Sequence, residues 1–133
     1  MTTEASALGI MVRIGARDVR FIDAEHRPRL VVLPPVSPIP HAPEGCLGVS
    51  MIDSVIVPVI ALGEARHPAV YCEVDDQRAL LVGFDAFEAG AFPIENGKPK
   101  AFGAEAEPLD LHAHLEAMLR APQRRREPHH ERR

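Results

Sequence analysis

Apolar residues along this chain fall in short runs, each closed by a polar or glycine-containing turn. That spacing predicts strands rather than helices. The first run is Gly9 to Ile14 (GIMVRI), and Gly15-Ala16 turns the chain into a second, Val19 to Ile22. The polar stretch Asp23 to Arg29 reads as a loop, and Leu30 to Leu33 as the next strand. Cys46 to Val49 and Val55 to Leu62 follow. Pro58 demotes the second of these to an edge or bulged strand, because proline has no N–H to give to a ladder. Val70 to Val74 and Arg78 to Val82 flank Asp75-Asp76-Gln77 as a hairpin. Asn96-Gly97, between Phe92-Pro93-Ile94 and Pro99 to Phe102, is the strongest hairpin signal, since both residues tolerate the positive φ of a type I′ turn.

One stretch has helical spacing. Leu111, Leu115, Met118 and Leu119 form a single apolar stripe, with Asp110 as N-cap and Pro122 as stop. Thirteen prolines and nine glycines argue against further long helices. Strands that do not alternate with helices predict a mainly β, barrel-like fold with one C-terminal helix, not a parallel sheet. The expected organisation is a flexible N-terminus over residues 1–8, one domain over 9–120, and a disordered basic tail over 121–133.

Composition narrows the class. Hydrophobic residues make up 46%, with no Trp and one Tyr, so the core must be built from Val, Ile, Leu, Ala and Phe. The net charge is −4, but residues 121–133 hold five arginines and two glutamates, leaving −7 on the rest. An acidic body argues against nucleic acid as the main partner. The tail itself reads as a solvated end, the alternative being contact with an acidic partner or anionic lipid. Met1 to Leu8 has neither the basic start nor the apolar run of a signal peptide, and no stretch is long enough to span a bilayer. These features predict a soluble cytoplasmic protein whose Cys46 and Cys72 are free thiols.

Candidate chemistry is sparse. His112 and His114 are two apart on the predicted helix, so they diverge. His129 and His130 sit among arginines. With no C-x-x-C, the histidines read as solvated rather than metal-ligating, and no cofactor is expected. No G-x-S-x-G, P-loop or H-E-x-x-H occurs, and the Asp75-Asp76 pair reads as a solvated turn. Pro34 to Pro43 holds five prolines in ten residues and must be extended. Pro35-Val36-Ser37-Pro38 is a literal P-x-x-P, but packing against a barrel edge is the preferred reading over an exposed ligand motif.

Residues 38–62 carry a resemblance. Pro40, Ala42, Pro43, Gly48, Val49, Pro58, Val59, Ile60 and Leu62 match, without a gap, the proline-rich lead-in, Gly-Val and "P-V-I-D-L" strand of CheW-like domains. Val12-Arg13-Ile14-Gly15 resembles the family's opening strand and turn, Val70 to Asp85 its later hairpin, and Leu109-Asp110-Leu111 the lead into its last helix. Where the family has Asn-Leu-Arg-Gly, this chain has Met51-Ile52-Asp53-Ser54, so the basic position is acidic and the glycine is gone. Ala61 stands for the usual Asp.

The resemblance implies two small five-stranded SH3-like β-barrels sharing a core. It also implies a non-enzymatic adaptor that links a chemoreceptor's cytoplasmic tip to the regulatory domain of a CheA-type histidine kinase. Such docking needs exposed apolar strands with a polar rim. The expected protein-binding residues are Val36, Ile39, Val49, Ile52, Asp53, Ser54, Ile56 and Val57; each apolar one among them is equally a candidate for barrel core. The alternatives are a degenerate module that binds one of these partners or another signalling protein, and, more remotely, a small-barrel enzyme.

Overall fold

The computed structural model describes residues 5–116, and 56% of the described residues are strand. The strands are β1 (Ser6–Ile14), β2 (Asp18–Asp23), β3 (Arg29–Val31), β4 (Cys46–Ile52), β5 (Val55–Ala61), β6 (Ala69–Val74), β7 (Gln77–Val82), β8 (Ala86–Glu95), β9 (Lys98–Ala101), β10 (Ala104–Glu105) and β11 (Glu107–Pro108). They form two sheets, ordered β10-β9-β8-β1-β2-β11 and β3-β6-β7-β5-β4. The second has the expected five strands, while the first has six because two-residue strands close its ends. One of the sheets curls nearly into a barrel.

Three hydrophobic cores explain this arrangement. Ile10, Val12 and Ile22 of the first sheet meet Ile60, Val70, Cys72 and Leu81 of the second in a shared core. Met11, Phe21 and Phe92 form a separate cluster on the far side of the first sheet, with the two rings edge to face at 6.2 Å. Val57, Val59, Tyr71, Leu80 and Val82 do the same for the second. Strands buried on both faces lose the apolar–polar alternation of a one-sided sheet. This is why Ala69–Val74 and Gln77–Val82 read as nearly unbroken apolar runs.

The C-terminal helix begins as expected. Residues 111–116 are helical, and the Asp110 carboxylate accepts from the Ala113 N–H at 3.0 Å, the N-cap geometry. Leu111 and Leu115 enter the shared core. Met118 and Leu119, the rest of the stripe, and the tail at 121–133 lie outside the described residues.

Two expectations need correction, and one strand has no forerunner in the sequence pattern. Ser6 to Leu8 belong to β1 rather than to a flexible N-terminus, because they pair with Ala91 to Pro93. Residues 86–91, which lack β-formers apart from Phe87, are strand because β1 templates them in unbroken register. β5 is not an edge strand, since it lies between β4 and β7, and the register shift in its pairing with β4 falls between Cys46 and Gly48 rather than at Pro58. Pro58 is accommodated differently. Val49, opposite Pro58, gives its N–H and C=O to Ser37, so the pair makes no ladder bonds with each other. The missing Pro58 N–H therefore points toward β7, and the parallel ladder there starts only at Val59.

Both cysteines are free thiols. Cys72 is fully buried in the shared core, and burial, with a smaller contribution from Glu73, pushes its thiol up to about 12. Cys46 is half-buried. In native protein a thiol reagent is expected to label Cys46 well ahead of Cys72, with two groups counted after denaturation; equal rates would refute the burial. The raised value also sets a pH dependence. The unfolded thiol ionises near 9 and the folded one near 12, so stability should be flat below the first value and fall as pH rises from it toward the second. Urea titrations across this window, with a Cys72→Ala control, measure the term.

Candidate docking face

The β4–β5 hairpin is closed by Asp53 and Ser54, both at positive φ, 50° and 66°. Positive φ at both central residues is the type I′ pattern, whose twist matches that of the flanking strands. A two-residue loop makes Ile52 and Val55 a hydrogen-bonded pair, so Met51–Ile56 and Val49–Pro58 are non-bonded pairs with close side chains. Pleating sends Ile52, Val55 and Val57 inward to the second sheet's core. It sends Val49, Met51, Ile56 and Pro58 outward. Met51 is 59% exposed and Ile56 63%, an apolar cross-strand pair facing solvent.

The proline segment guards the outer edge of β4. Ser37 forms an antiparallel bridge with Val49, with both N–H···O bonds at 2.8–2.9 Å. The buried Ser50 hydroxyl donates to the Pro35 carbonyl at 2.9 Å. Gly48 permits this approach. Its φ is +140°, and a Cβ there would lie 2.2 Å from the Ser37 oxygen. Val36 packs against the core, while Pro35, Ser37 and Pro38 are exposed and Ile39 beyond them is 42% exposed.

Asp53 is engaged within the protein. Its carboxylate meets the Arg29 guanidinium at 2.6 Å, and that guanidinium lies 4.7 Å from the centre of the Tyr71 ring. Both partners are solvent-accessible, so the ion pair contributes little to stability, up to about 1 kcal/mol. Its effect is on local charge, since the acidic turn is neutralised by β3 rather than left for a partner.

The sequence-based set therefore divides. Ile39, Asp53, Ser54 and Ile56 are exposed, and Val49 is half-buried on the outer face. Val57 is 1% exposed and is core, not contact. Val36 and Ile52 pack against the same core and are likewise mainly structural. Met51 was missing from the set, although its place two residues after Val49 puts it on the same face.

The turn also allows a local test. Ser54 holds a left-handed conformation that disfavours a Cβ, so Ser54→Gly is expected to stabilise the protein by about 0.5–1 kcal/mol. The urea midpoint would measure it, and a decrease would show that the Ser54 side chain matters more than its backbone.

Among the described residues no group of three or more His, Cys, Asp or Glu side chains could hold a metal ion. His112 lies 3.6 Å from Asp75 and 3.8 Å from Glu116, at the exposed end of the β6–β7 turn. Asp75 and Asp76 sit in that turn, where they line a shallow, solvent-open groove of about 350 Å³ with His112, Leu115 and Glu116.

No protein-family model matches the chain, and no curated protein matches it. Solved structures do. The crystal structure of the scaffolding protein TtCheW from Thermoanaerobacter tengcongensis aligns with a TM-score of 0.55 at 21% identity, covering 76% of this chain and 76% of that one. An alignment at this identity speaks for the fold. Together with the two sheets and their shared core, it shows that this chain has a divergent form of the CheW-like fold.

Proposed function

We propose that this chain is a non-enzymatic scaffold that docks signalling proteins through the outer face of the β4–β5 hairpin. The observation that carries this reading is the exposed Met51–Ile56 pair, on a fold shared with a protein described as a scaffold. Exposed apolar cross-strand pairs cost solvation in the free protein and gain it back when a partner covers them. Val49 and Pro58 extend the strip, and the Asp53–Arg29 pair supplies a polar rim. In this reading the partners are those the sequence resemblance implies, a CheA-type kinase regulatory domain and a chemoreceptor tip. Among the described residues no helix is long and apolar enough to cross a membrane.

A second reading, docking to only one of these partners, is favoured by the Asp53–Arg29 pair. An arginine at this turn could bind a partner carboxylate in bidentate fashion, whereas Asp53, already paired with Arg29, has no donor to offer it. Calorimetry against both partners tests the two readings together. Replacing Met51→Glu and Ile56→Lys places opposite charges across the hairpin, which keeps it paired while removing the apolar face. Binding should weaken about tenfold or more. Asp53→Arg with Ser54→Gly should strengthen binding to the partner that wild type binds poorly. Wild type that binds neither partner would end the scaffold reading. Equal, ordinary affinity for both, unaltered by the Asp53 change, would end the one-partner reading.

A further inference from the structure

Strand β8 has one edge that the rest of the described chain leaves open. On one side it pairs with β1 without interruption, from Ser6↔Pro93 to Arg13↔Ala86. On the other, β9 reaches only Ile94 and Glu95. Glu95 and Lys98 flank the two-residue Asn96-Gly97 turn, so they form a hydrogen-bonded pair and Glu95 directs its peptide groups toward β9. Ile94 directs its own the other way, donating to the Ala5 carbonyl at 3.3 Å. By alternation, Phe87, Ala89 and Ala91 point N–H and C=O at the open edge. Pro93 belongs to the same set, where a missing N–H costs nothing.

This edge lacks the usual protection. Residues 86–92 (AFEAGAF) contain no Lys, no Pro and no register shift, and Glu88 is their one charge. Phe87 is 43% exposed, and Leu8, which pairs with Ala91 and shares its face, is 63% exposed. Gly90 has a φ of +147°, but its pairing with β1 is in register, and a long edge with apolar flanks is a template for another strand.

We propose that this edge pairs, antiparallel and about a two-fold axis at Ala89, with β8 of a second copy of this chain. The edge is complementary to itself. Residues 86–92 are centred on Ala89, so that register uses the whole open stretch. Moving the axis to Ala91 would drive the second strand into β9. With the axis at Ala89, Phe87 faces the partner's Ala91, and Ala89 faces the partner's Ala89. The edge-directed peptide groups of Phe87, Ala89 and Ala91 then find mates, giving about six hydrogen bonds. Glu88 faces the partner's Gly90, so no like charges are opposed. Paired residues share a face, so Phe87 covers the partner's Ala91 beside Leu8, and two exposed apolar side chains per copy are buried. The contact is isologous and closes at two subunits. It lies on a different strand and sheet from the β4–β5 face, so it stands or falls independently of the docking reading.

Hydrogen exchange and sedimentation on the full chain test it. Between about 10 µM and 1 mM protein, protection of the Phe87, Ala89 and Ala91 amides should rise by about tenfold or more as dimer forms by mass action. Ala89→Pro removes the central donor, and Ala89→Lys places a charge at the axis. Both variants should sediment as monomer at the higher concentration with unchanged far-UV circular dichroism. Three results would overturn the proposal: a wild type that stays monomeric, a dimer that survives both substitutions, or amide protection that does not depend on concentration. The last would mean that the chain's own residues cover the edge.

Discussion

Gly48→Ala is expected to destabilise the protein by about 3 kcal/mol or more and to detach the proline segment from β4. Two effects add. A φ of +140° lies in a region that L side chains rarely occupy. The new methyl would also meet the Ser37 carbonyl oxygen at 2.2 Å, its carbon at 2.8 Å and Pro38 Cα at 2.9 Å. All three are backbone atoms, which cannot swing aside as a side-chain end could. Relief requires moving residues 37–38 outward, which breaks the Ser37–Val49 bridge and loosens the Ser50 hydroxyl from Pro35. Gly97→Ala is the control, with a φ of +78° but nothing within 4 Å, so it reports strain without a clash. Urea denaturation should rank Gly48→Ala well below Gly97→Ala. Exchange at the Val49 amide, which donates to Ser37, should accelerate selectively. Equal costs at the two sites would mean that the close approach is unimportant.

Leu81→Ala is expected to cost about 3–5 kcal/mol, near the upper end for a core leucine. Leu81 is fully buried on β7, paired with Val70 on one side and Ile60 on the other. It lies in the shared core, where both sheets and the helix residues Leu111 and Leu115 converge. A cavity there is walled by three separate elements, so it cannot collapse by moving one of them. Against a typical total of about 5–15 kcal/mol, the loss is a large fraction. The shared core also predicts that both sheets unfold together. Probes in each sheet should give one coincident urea transition for wild type and variant. Two separated transitions, or a cost below about 1 kcal/mol, would contradict a core that joins the sheets.

Most strands are legible in the sequence, and the reason is local. β-Branched runs bounded by Asn-Gly, Asp-Asp or Gly-Ala turns specify strand and hairpin through propensity and turn chemistry, so β2, β6, β7 and the β8–β9 turn stand close to where the pattern predicts them. The helix start was legible in the same way, from Asp110 and the Leu111–Leu115 spacing. Partner-dependent strands were not. The first half of β8 is Ala-Phe-Glu-Ala-Gly-Ala, a sequence without strand preference, and it is extended because β1 lies beside it.

The docking face divides along the same line. The proline lead-in, Gly48 and the 58–62 strand are local signals, so they carried the resemblance to CheW-like domains and with it the fold. Which apolar residue faces out is a matter of register and of which sheet face is covered. An apolar run at 55–60 looks the same whether a residue points into the core or away from it. Pairing with β4 decided that Val57 points inward and Ile56 outward, and that Met51 joins Ile56. The charge of the turn was likewise written in Asp53. Its neutralisation was not, because Arg29 lies 24 residues earlier and reaches Asp53 only when β3 closes the far edge of the same sheet. Sequence by itself determined the strands with strong local preference, the turns and the class of fold. Tertiary structure alone decided exposure, strand neighbours and long-range ion pairs, since each depends on contacts between segments whose distance in space is not encoded in their distance along the chain.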